Sequence, residues 1–170
     1  MVTLRCTKKL LNFLDIVPDQ TPQPPTGALG DWYANLVPTA AGALIIFVNE
    51  RTLLTVAVPE WEAENLVPWF RLRVANLLGM IGISAKTASR EMKHLEHVQF
   101  AKTASRRILG SLNDLAWNYQ WLAEAAEGKE GLSLSYVELN LSQMPQRPLG
   151  YKTPVDVAKE LLEEAVNSAG

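Results

Sequence analysis

The spacing of apolar residues divides the first third of the chain into strands and one helix. VTLRC alternates between apolar and polar residues and predicts a strand, whereas TKKLLNFLDIV has apolar residues at helical spacing after Thr7, which would be the N-cap. Short connections join three further apolar runs, which predict an antiparallel meander: DWYANLVP, ALIIFVN and LLTVAVP. The second of these runs is almost entirely apolar, as is typical of a central strand buried on both faces.

Helical spacing dominates the second half of the chain. A helix is predicted after Pro59, with Pro68 either in its first turn or at a kink, and a second helix would be capped by Ser84. The longest helix is predicted from about residue 104 to residue 127 and ends at Gly128. A last helix begins at Thr153, because this N-cap residue is followed by proline at N1 and aspartate at N3.

Two shorter segments, HVQFAKT and LSLSYVELNL, alternate and predict additional strands. The order of elements becomes β–α–βββ–αα–β–α–β–α, in which strands and helices do not alternate strictly. We therefore expect an α+β fold with a mostly antiparallel sheet of about four to five strands packed against four to five helices. The length of 170 residues favours a single domain over residues 1–170.

A segment rich in proline separates the first helix from the meander. PDQTPQPPTGALGD contains four prolines and two glycines, so residues 17–31 are predicted to form a surface loop. Connections of this length are often functional or mobile.

Composition is ordinary for a globular protein, with 48% hydrophobic and 20% charged residues. A net charge of -2 does not fit a protein that coats nucleic acid over its whole surface. The single cysteine, Cys6, cannot form an intramolecular disulfide, and the N-terminal segment lacks the apolar core of a signal peptide. No apolar run approaches the roughly 20 residues needed to cross a bilayer. We expect a cytoplasmic protein without a membrane partner.

Charge is distributed unevenly along the chain. Residues 71–107 contain eight basic residues against two acidic ones, whereas residues 111–170 contain four basic residues against nine acidic ones. This pattern indicates either a basic binding face or attraction between the two regions, within one chain or between two copies.

The hexapeptide AKTASR occurs twice, at Ala85–Arg90 and at Ala101–Arg106. The flanking patterns differ, so the copies do not indicate a structural repeat. The first copy is expected on the solvent-facing side of a short helix, whereas the second joins a strand to the longest helix. The free N–H groups and the positive dipole end of a helix start can hold an anion. We predict an anion site, with a purely structural junction as the alternative, at Lys102, Thr103, Ser105, Arg106 and Arg107.

The longest helix carries a second candidate feature, which we call the lateral strip: Arg106, Gly110, Asn113, Trp117 and Trp121. A glycine within a helix costs about 1 kcal/mol relative to alanine, so a ligand or another backbone would approach closely there. We predict that a cleft beside the anion site is lined by Asn113, Asp114 and Trp117. Close packing of the helix against a neighbour is the alternative.

Other motifs are weak. Glu91, His94 and His97 form E-x-x-H-x-x-H, but no second set of ligands accompanies them, so neither a metal nor a cofactor is predicted. Trp32 and Tyr33 either stack on a base or sugar or cover the sheet. Catalytic residues are not identified by any motif.

Several pieces of the chain resemble a bacterial family known as a domain of unknown function: LRCTKKLL, LGDWYANLVP, FVNERTLL, FAKTASRRILGSLNDL and LGYKTP. The pieces span most of the chain in the same order, and the second AKTASR copy falls inside one of them. The resemblance implies one domain from end to end and supplies no catalytic residues.

These patterns favour a small binding or regulatory module that holds an anionic partner, namely nucleic acid, a nucleotide or an acidic protein surface. One alternative is an enzyme for a phosphate-bearing substrate, with Lys102 and Arg106 binding phosphate and Asp114 as acid or base. A second alternative is a structural protein whose tryptophans form a homo-oligomer.

Overall fold

The computed structural model describes residues 1–125 and 133–169. Within these ranges the strands form one five-stranded sheet with the order β4-β3-β2-β1-β5. The strands are β1 (Val2–Cys6), β2 (Trp32–Thr39), β3 (Gly42–Asn49), β4 (Thr55–Pro59) and β5 (Val98–Lys102). The α-helices in the same ranges are α1 (Lys8–Leu14), α2 (Leu66–Met80), α3 (Ala85–His94), α4 (Arg106–Ala125), α5 (Leu134–Ser142) and α6 (Pro154–Ser168).

The predicted α+β class and single domain are confirmed, and the sheet is mixed. The meander β2-β3-β4 is antiparallel, as expected from its short connections. β1, in contrast, runs parallel to both of its neighbours, β2 and β5. Parallel neighbours require long crossover connections, which here are supplied by α1 with the proline-rich loop and by the helices before β5.

Helices cover both faces of the sheet. One core lies beneath α1, α2, α3 and α6, and it contains Phe47 and Phe70 with ring centroids 4.6 Å apart. The other core lies beneath α4 and α5 and contains Leu112 and Tyr119. Alternate residues of β3 enter the two cores, so the prediction of a strand buried on both faces is confirmed.

The predicted helix starts are confirmed by their caps. The side chains of Thr7, Ser84 and Thr153 accept hydrogen bonds from backbone N–H groups at the starts of α1, α3 and α6. Pro68 lies in the first turn of α2, where a backbone N–H would have no acceptor within the helix. The absence of an N–H in proline therefore costs no helical hydrogen bond. The first turn thus accommodates a proline that would break a helix interior.

The strand predicted in LSLSYVELNL is wrong, because residues Leu134–Ser142 form the helix α5. Val137, Glu138, Leu141 and Ser142 are buried, and this spacing is helical. α5 packs on β4, an edge strand, and Glu138 Oε1 accepts the N–H of Ala57 at 2.9 Å. The Glu138 side chain therefore accepts a hydrogen bond from an edge-strand N–H that would otherwise be free to pair with another strand.

The loop predicted at residues 17–31 is irregular and firmly attached. The Asp19 N–H donates to the carbonyl of Phe100 at 2.7 Å, and the Thr26 N–H donates to the carbonyl of Met1 at 3.1 Å. The loop thus crosses the outer edge of β5, the other edge strand, and partly covers it. No helix among the described residues is long and apolar enough to cross a membrane.

Candidate anion site at the carboxyl ends of two parallel strands

β1 and β5 lie side by side and parallel, with Leu4 opposite Phe100 and Cys6 opposite Lys102. The chain leaves β1 through α1 on one face of the sheet and leaves β5 through α4 on the other face. Such a topological switch point opens a crevice outside the carboxyl ends of the strands, where open sheets bind ligands. The topology alone therefore singles out this edge as a candidate site.

A crevice of about 420 Å³ lies at this point. The end of β1, the exposed side of α1, the start of the proline-rich loop and the end of β5 surround it. Its lining residues are Cys6, Lys8, Leu11, Asn12, Ile16, Pro18, Lys102 and Thr103. A volume of this size accommodates a small ligand or the end of a larger one.

The charge of the crevice is positive. Lys8 and Lys102 are exposed and come from different elements, and no carboxylate lines the crevice in the described part of the chain. Neither lysine belongs to an ion pair in that part, where the pairs are Arg5–Asp31, Arg51–Glu50, Arg73–Glu138 and Lys152–Glu160. Two cations without a counterion favour an anionic ligand.

The start of α4 lies directly beyond the crevice. Ser105 Oγ accepts the N–H of Ile108 at 3.3 Å, and the Ser105 N–H donates to the hydroxyl of Tyr33 at 3.1 Å. Within the described ranges the N–H groups of Arg106 and Arg107 have no acceptor. The free donors and the helix dipole add positive potential to the same edge of the sheet.

The structure divides the predicted anion-site residues into two groups. Lys102 and Thr103 line the crevice. Ser105 is the N-cap of α4, while Arg106 and Arg107 are exposed on its first turn and do not line the crevice. The predicted junction thus contributes one wall of the crevice through Lys102 and Thr103. Arg106 and Arg107 add two exposed cations outside the crevice.

The predicted cleft residues lie elsewhere. Asn113, Asp114 and Trp117 are exposed on α4 and are absent from the crevice lining. Asp114 therefore does not share a pocket with Lys102, as the enzyme alternative requires. Gly110 is exposed, and a Cβ built on it meets nothing within 4 Å, so close packing does not explain this glycine.

The opposite wall of the crevice was missed by sequence reasoning. Lys8 and Asn12 are one turn apart on α1, on the side that faces away from buried Leu10. The charged start of α1 was visible in the sequence. Its position beside Lys102 depends on the parallel pairing of β1 with β5, which no local pattern encodes.

A family model with the description "Domain of unknown function (DUF6933)" matches residues 3–157. The chain belongs to this family. No curated protein and no solved structure matches the chain. The match includes both walls of the crevice, so the candidate site lies wholly within the DUF6933 domain.

Cys6 is not an activated nucleophile in this DUF6933 chain. Its side chain is buried, and burial raises the pKa of the thiol to about 12. The thiol is therefore protonated at neutral pH, whereas a reactive cysteine requires a thiolate.

The motif E-x-x-H-x-x-H has a structural role in the described residues. Glu91 is buried and accepts the N–H groups of Ala28 and Leu29, each at 3.0 Å. His94 Nδ1 lies 2.8 Å from the hydroxyl of Thr26. No group of three or more potential metal ligands occurs in the described ranges. These contacts attach the proline-rich loop to α3.

The two AKTASR copies have different structures, as predicted. The first lies in α3, with Lys86 and Arg90 exposed, and Arg90 reaches the rim of a second cavity of about 460 Å³ between α3, α6 and the loop. The second copy spans the end of β5 and the start of α4. Identical side chains thus occupy a helix surface in one case and the switch point in the other.

Base stacking by the aromatic pair beside the loop is excluded by burial. Trp32 is 0% exposed and packs against Phe70 with ring centroids 5.3 Å apart, and Tyr33 is 3% exposed. Trp32 covers the sheet, as in the alternative interpretation. Tyr33 additionally holds the start of α4 through its hydroxyl.

Proposed function

We propose that the protein is a binding module that holds a phosphate-bearing ligand in the crevice between α1, the loop and the end of β5. The observation that carries the proposal is the convergence of Lys8 and Lys102, from separate elements, on one cavity without a lining carboxylate. The switch point gives an independent reason to expect a ligand there. Phosphate is favoured over a single carboxylate because it has a higher negative charge and enough acceptor oxygens for the two lysines and the neutral donors of the crevice together.

Neutral polar groups complete the site. Asn12 and Thr103 line the same crevice as the two lysines and supply an amide and a hydroxyl, both of which can donate to phosphate oxygens. The free N–H groups at the start of α4 follow Thr103 within a few residues of the chain. Donors of these kinds position phosphate groups in many unrelated proteins.

Binding without catalysis is the simpler function for this geometry. General acid–base chemistry needs a titratable group within hydrogen-bond reach of the reacting atoms. Cys6 is protonated, Asp114 does not line the crevice, and the remaining polar lining residues are lysines, an amide and a hydroxyl. The crevice therefore offers groups that hold a ligand rather than groups that transform it.

The test is a thermal-shift titration of the intact protein with inorganic phosphate, tripolyphosphate and nucleoside triphosphates. A ligand that binds the native state raises the melting temperature, and the stabilisation grows with the logarithm of the ratio of ligand concentration to Kd. We expect tripolyphosphate and triphosphates to stabilise the wild type. Lys8→Ala and Lys102→Ala should each weaken binding by about ten-fold, the usual cost of losing one charge-assisted contact.

Lys86→Ala is a matched control, since Lys86 is an exposed lysine in the first AKTASR copy and does not line the crevice. This variant should bind as the wild type does. Equal losses in Lys86→Ala and Lys102→Ala would show a general effect of net charge and would contradict a site in the crevice.

A further inference from the structure

The lateral strip is a continuous exposed surface along α4. Arg106 and Asn113 are exposed, Trp117 and Trp121 are 71% and 60% exposed, and Gly110 leaves the backbone between them open. Large aromatic side chains are usually buried or at interfaces, so two exposed tryptophans on one strip indicate a contact surface.

The aromatic end of the strip faces an uncharged groove. The groove has a volume of about 270 Å³ and lies between α4 and α5, with Trp121, Tyr136, Asn118 and Asn140 in its lining. Tyr136 is 59% exposed. Among the described residues, Trp117, Trp121 and Tyr136 pair with no other aromatic ring, so their faces are free to stack on a ligand.

The other end of the strip is cationic and follows the crevice residues Lys102 and Thr103 along the chain. Arg106 and Arg107 lie on the first turn of α4, a few residues beyond Lys102. No acidic partner engages them within the described ranges. Because a helix rises 1.5 Å per residue, Arg106 and Trp117 are about 16 Å apart along the axis, and Trp117 and Trp121 are about 6 Å apart.

We propose that α4 binds a single-stranded nucleic acid, with phosphates at Lys102, Arg106 and Arg107 and unpaired bases stacked on Trp117 and Trp121. This inference rests on the proposed function, because it names the larger ligand whose phosphate end occupies the crevice. A single strand combines backbone charge with exposed base faces, and cations together with stacking aromatics are the groups that bind such strands.

The arrangement favours a single strand over the other anionic partners. The bases of a duplex are stacked on each other and cannot cover Trp117 and Trp121. An acidic protein surface would pair with the arginines at one end of the strip. At the other end its carboxylates would find no cation, since no lysine or arginine lines the groove. Unpaired bases are neutral and planar and are attached to a charged backbone. They therefore match a helix that carries arginines at one end and tryptophans at the other.

The test measures binding of a fluorescently labelled oligodeoxythymidylate by anisotropy at several salt concentrations, with tripolyphosphate as the second probe. We expect Trp117→Ala and Trp121→Ala to weaken oligonucleotide binding by at least about five-fold, the lower bound for one lost stack. Their affinity for tripolyphosphate should be unchanged. Lys102→Ala should weaken binding of both probes and reduce the salt slope of oligonucleotide binding by about 0.7.

Trp61→Ala is the matched control, because Trp61 is 67% exposed, lies between β4 and α2 in the chain, and belongs neither to the lateral strip nor to the lining of the groove. It should bind both probes as the wild type does. Trp117→Phe and Trp121→Phe keep an aromatic face and should recover most of the affinity. Circular dichroism checks that each variant is folded.

The outcomes separate the two proposals. Oligonucleotide binding that is unaffected by Trp117→Ala and Trp121→Ala, with tripolyphosphate binding still dependent on Lys102, overturns the nucleic-acid inference and leaves the crevice site standing. A wild-type dimer that these tryptophan variants dissociate, seen by light scattering, assigns the strip to contact between copies and also overturns it. Failure of both probes to bind overturns both proposals.

Discussion

Glu138 lies on α5, and its side chain is fully buried against α2 and β4. Its Oε1 accepts from Arg73 Nη2 at 2.6 Å and from the N–H of Ala57 at 2.9 Å, while Oε2 has no partner among the described atoms. Burial raises the pKa of this carboxyl to about 7 and outweighs the opposite effect of Arg73. At the scale of single residues, this side chain makes the folded state sensitive to pH.

The sign of that sensitivity follows from linkage. The unfolded carboxyl titrates near 4.5 and the folded one near 7, so between these values the folded chain holds a proton that the unfolded chain releases. The contribution of the protonated Glu138 carboxyl to the free energy of unfolding is complete below about pH 4.5 and is lost as the pH rises through 7. Relative to Glu138→Gln, which mimics the protonated group, the wild-type free energy of unfolding should fall by up to about 1.4 kcal/mol per pH unit in this window.

Urea unfolding of both proteins from pH 5 to pH 8 measures this difference. Glu160→Gln is the control, because Glu160 is exposed and paired with Lys152 at the surface, and it should keep the wild-type pH dependence at Glu138. Parallel curves for the wild type and Glu138→Gln would contradict a raised pKa at this position.

At the scale of elements, α4 has a weak point at Gly110. The residue is in the helix interior, and a built Cβ meets nothing within 4 Å, so alanine fits without strain. Gly110→Ala should therefore raise the free energy of unfolding by up to about 1 kcal/mol. Thermal unfolding measures the gain.

Gly27→Ala is the contrasting variant for this prediction. A Cβ at Gly27 would collide with Glu91 Oε1, which is fixed by its bonds to the Ala28 and Leu29 N–H groups. This substitution should destabilise the protein, because either the loop or Glu91 must move. A loss of stability in Gly110→Ala would show that its open backbone serves a contact within the protein.

The proline-rich loop is an element whose sequence and structure suggest different behaviour. Its length is typical of functional or mobile connections, yet the amides of Asp19, Thr26, Ala28 and Leu29 all donate to specific acceptors. We expect hydrogen exchange at these amides to be slowed relative to Gln20, whose N–H donates to none of the described acceptors. Exchange at the intrinsic rate throughout residues 17–31 would contradict an anchored loop.

At the scale of the whole molecule, one sheet joins two apolar cores. Trp32 reports on the core beneath α2, while Leu112 is fully buried in the core beneath α4. Leu112→Ala should cost about 2–5 kcal/mol, as expected for a large-to-small change in a packed core. Trp32 is fully buried whereas the other four tryptophans are at least 36% exposed, so the change in tryptophan fluorescence on unfolding comes mainly from Trp32. Because β2 and β3 belong to both cores, this fluorescence and far-ultraviolet circular dichroism should report the same lowered midpoint.

Leu72→Ala is the control for this prediction, since Leu72 is 47% exposed on α2 and its truncation leaves no internal cavity. Its effect should stay within about 0.5 kcal/mol. Separate midpoints for fluorescence and circular dichroism in Leu112→Ala would indicate that the two cores unfold independently.

Local patterns predicted most elements because their causes are local. The caps Thr7, Ser84 and Thr153 bond to N–H groups three residues ahead, and alternation along β1 to β5 reflects the two-residue repeat of a strand. The segment around Tyr136 failed because an amphipathic helix of nine residues that includes serines can also be read as an alternating strand. Packing against β4 decided between the two.

The sequence by itself determined the α+β class, the positions of nearly all described elements, the buried central strand and the junction at Lys102. Only the tertiary structure decided that β1 lies parallel to β5, that Lys8 and Lys102 share a crevice, and that Asp114 is apart from both. The reason is physical: helix starts and strand alternation arise from interactions over a few residues, whereas strand order depends on contacts between residues nearly one hundred positions apart, such as Leu4 with Phe100.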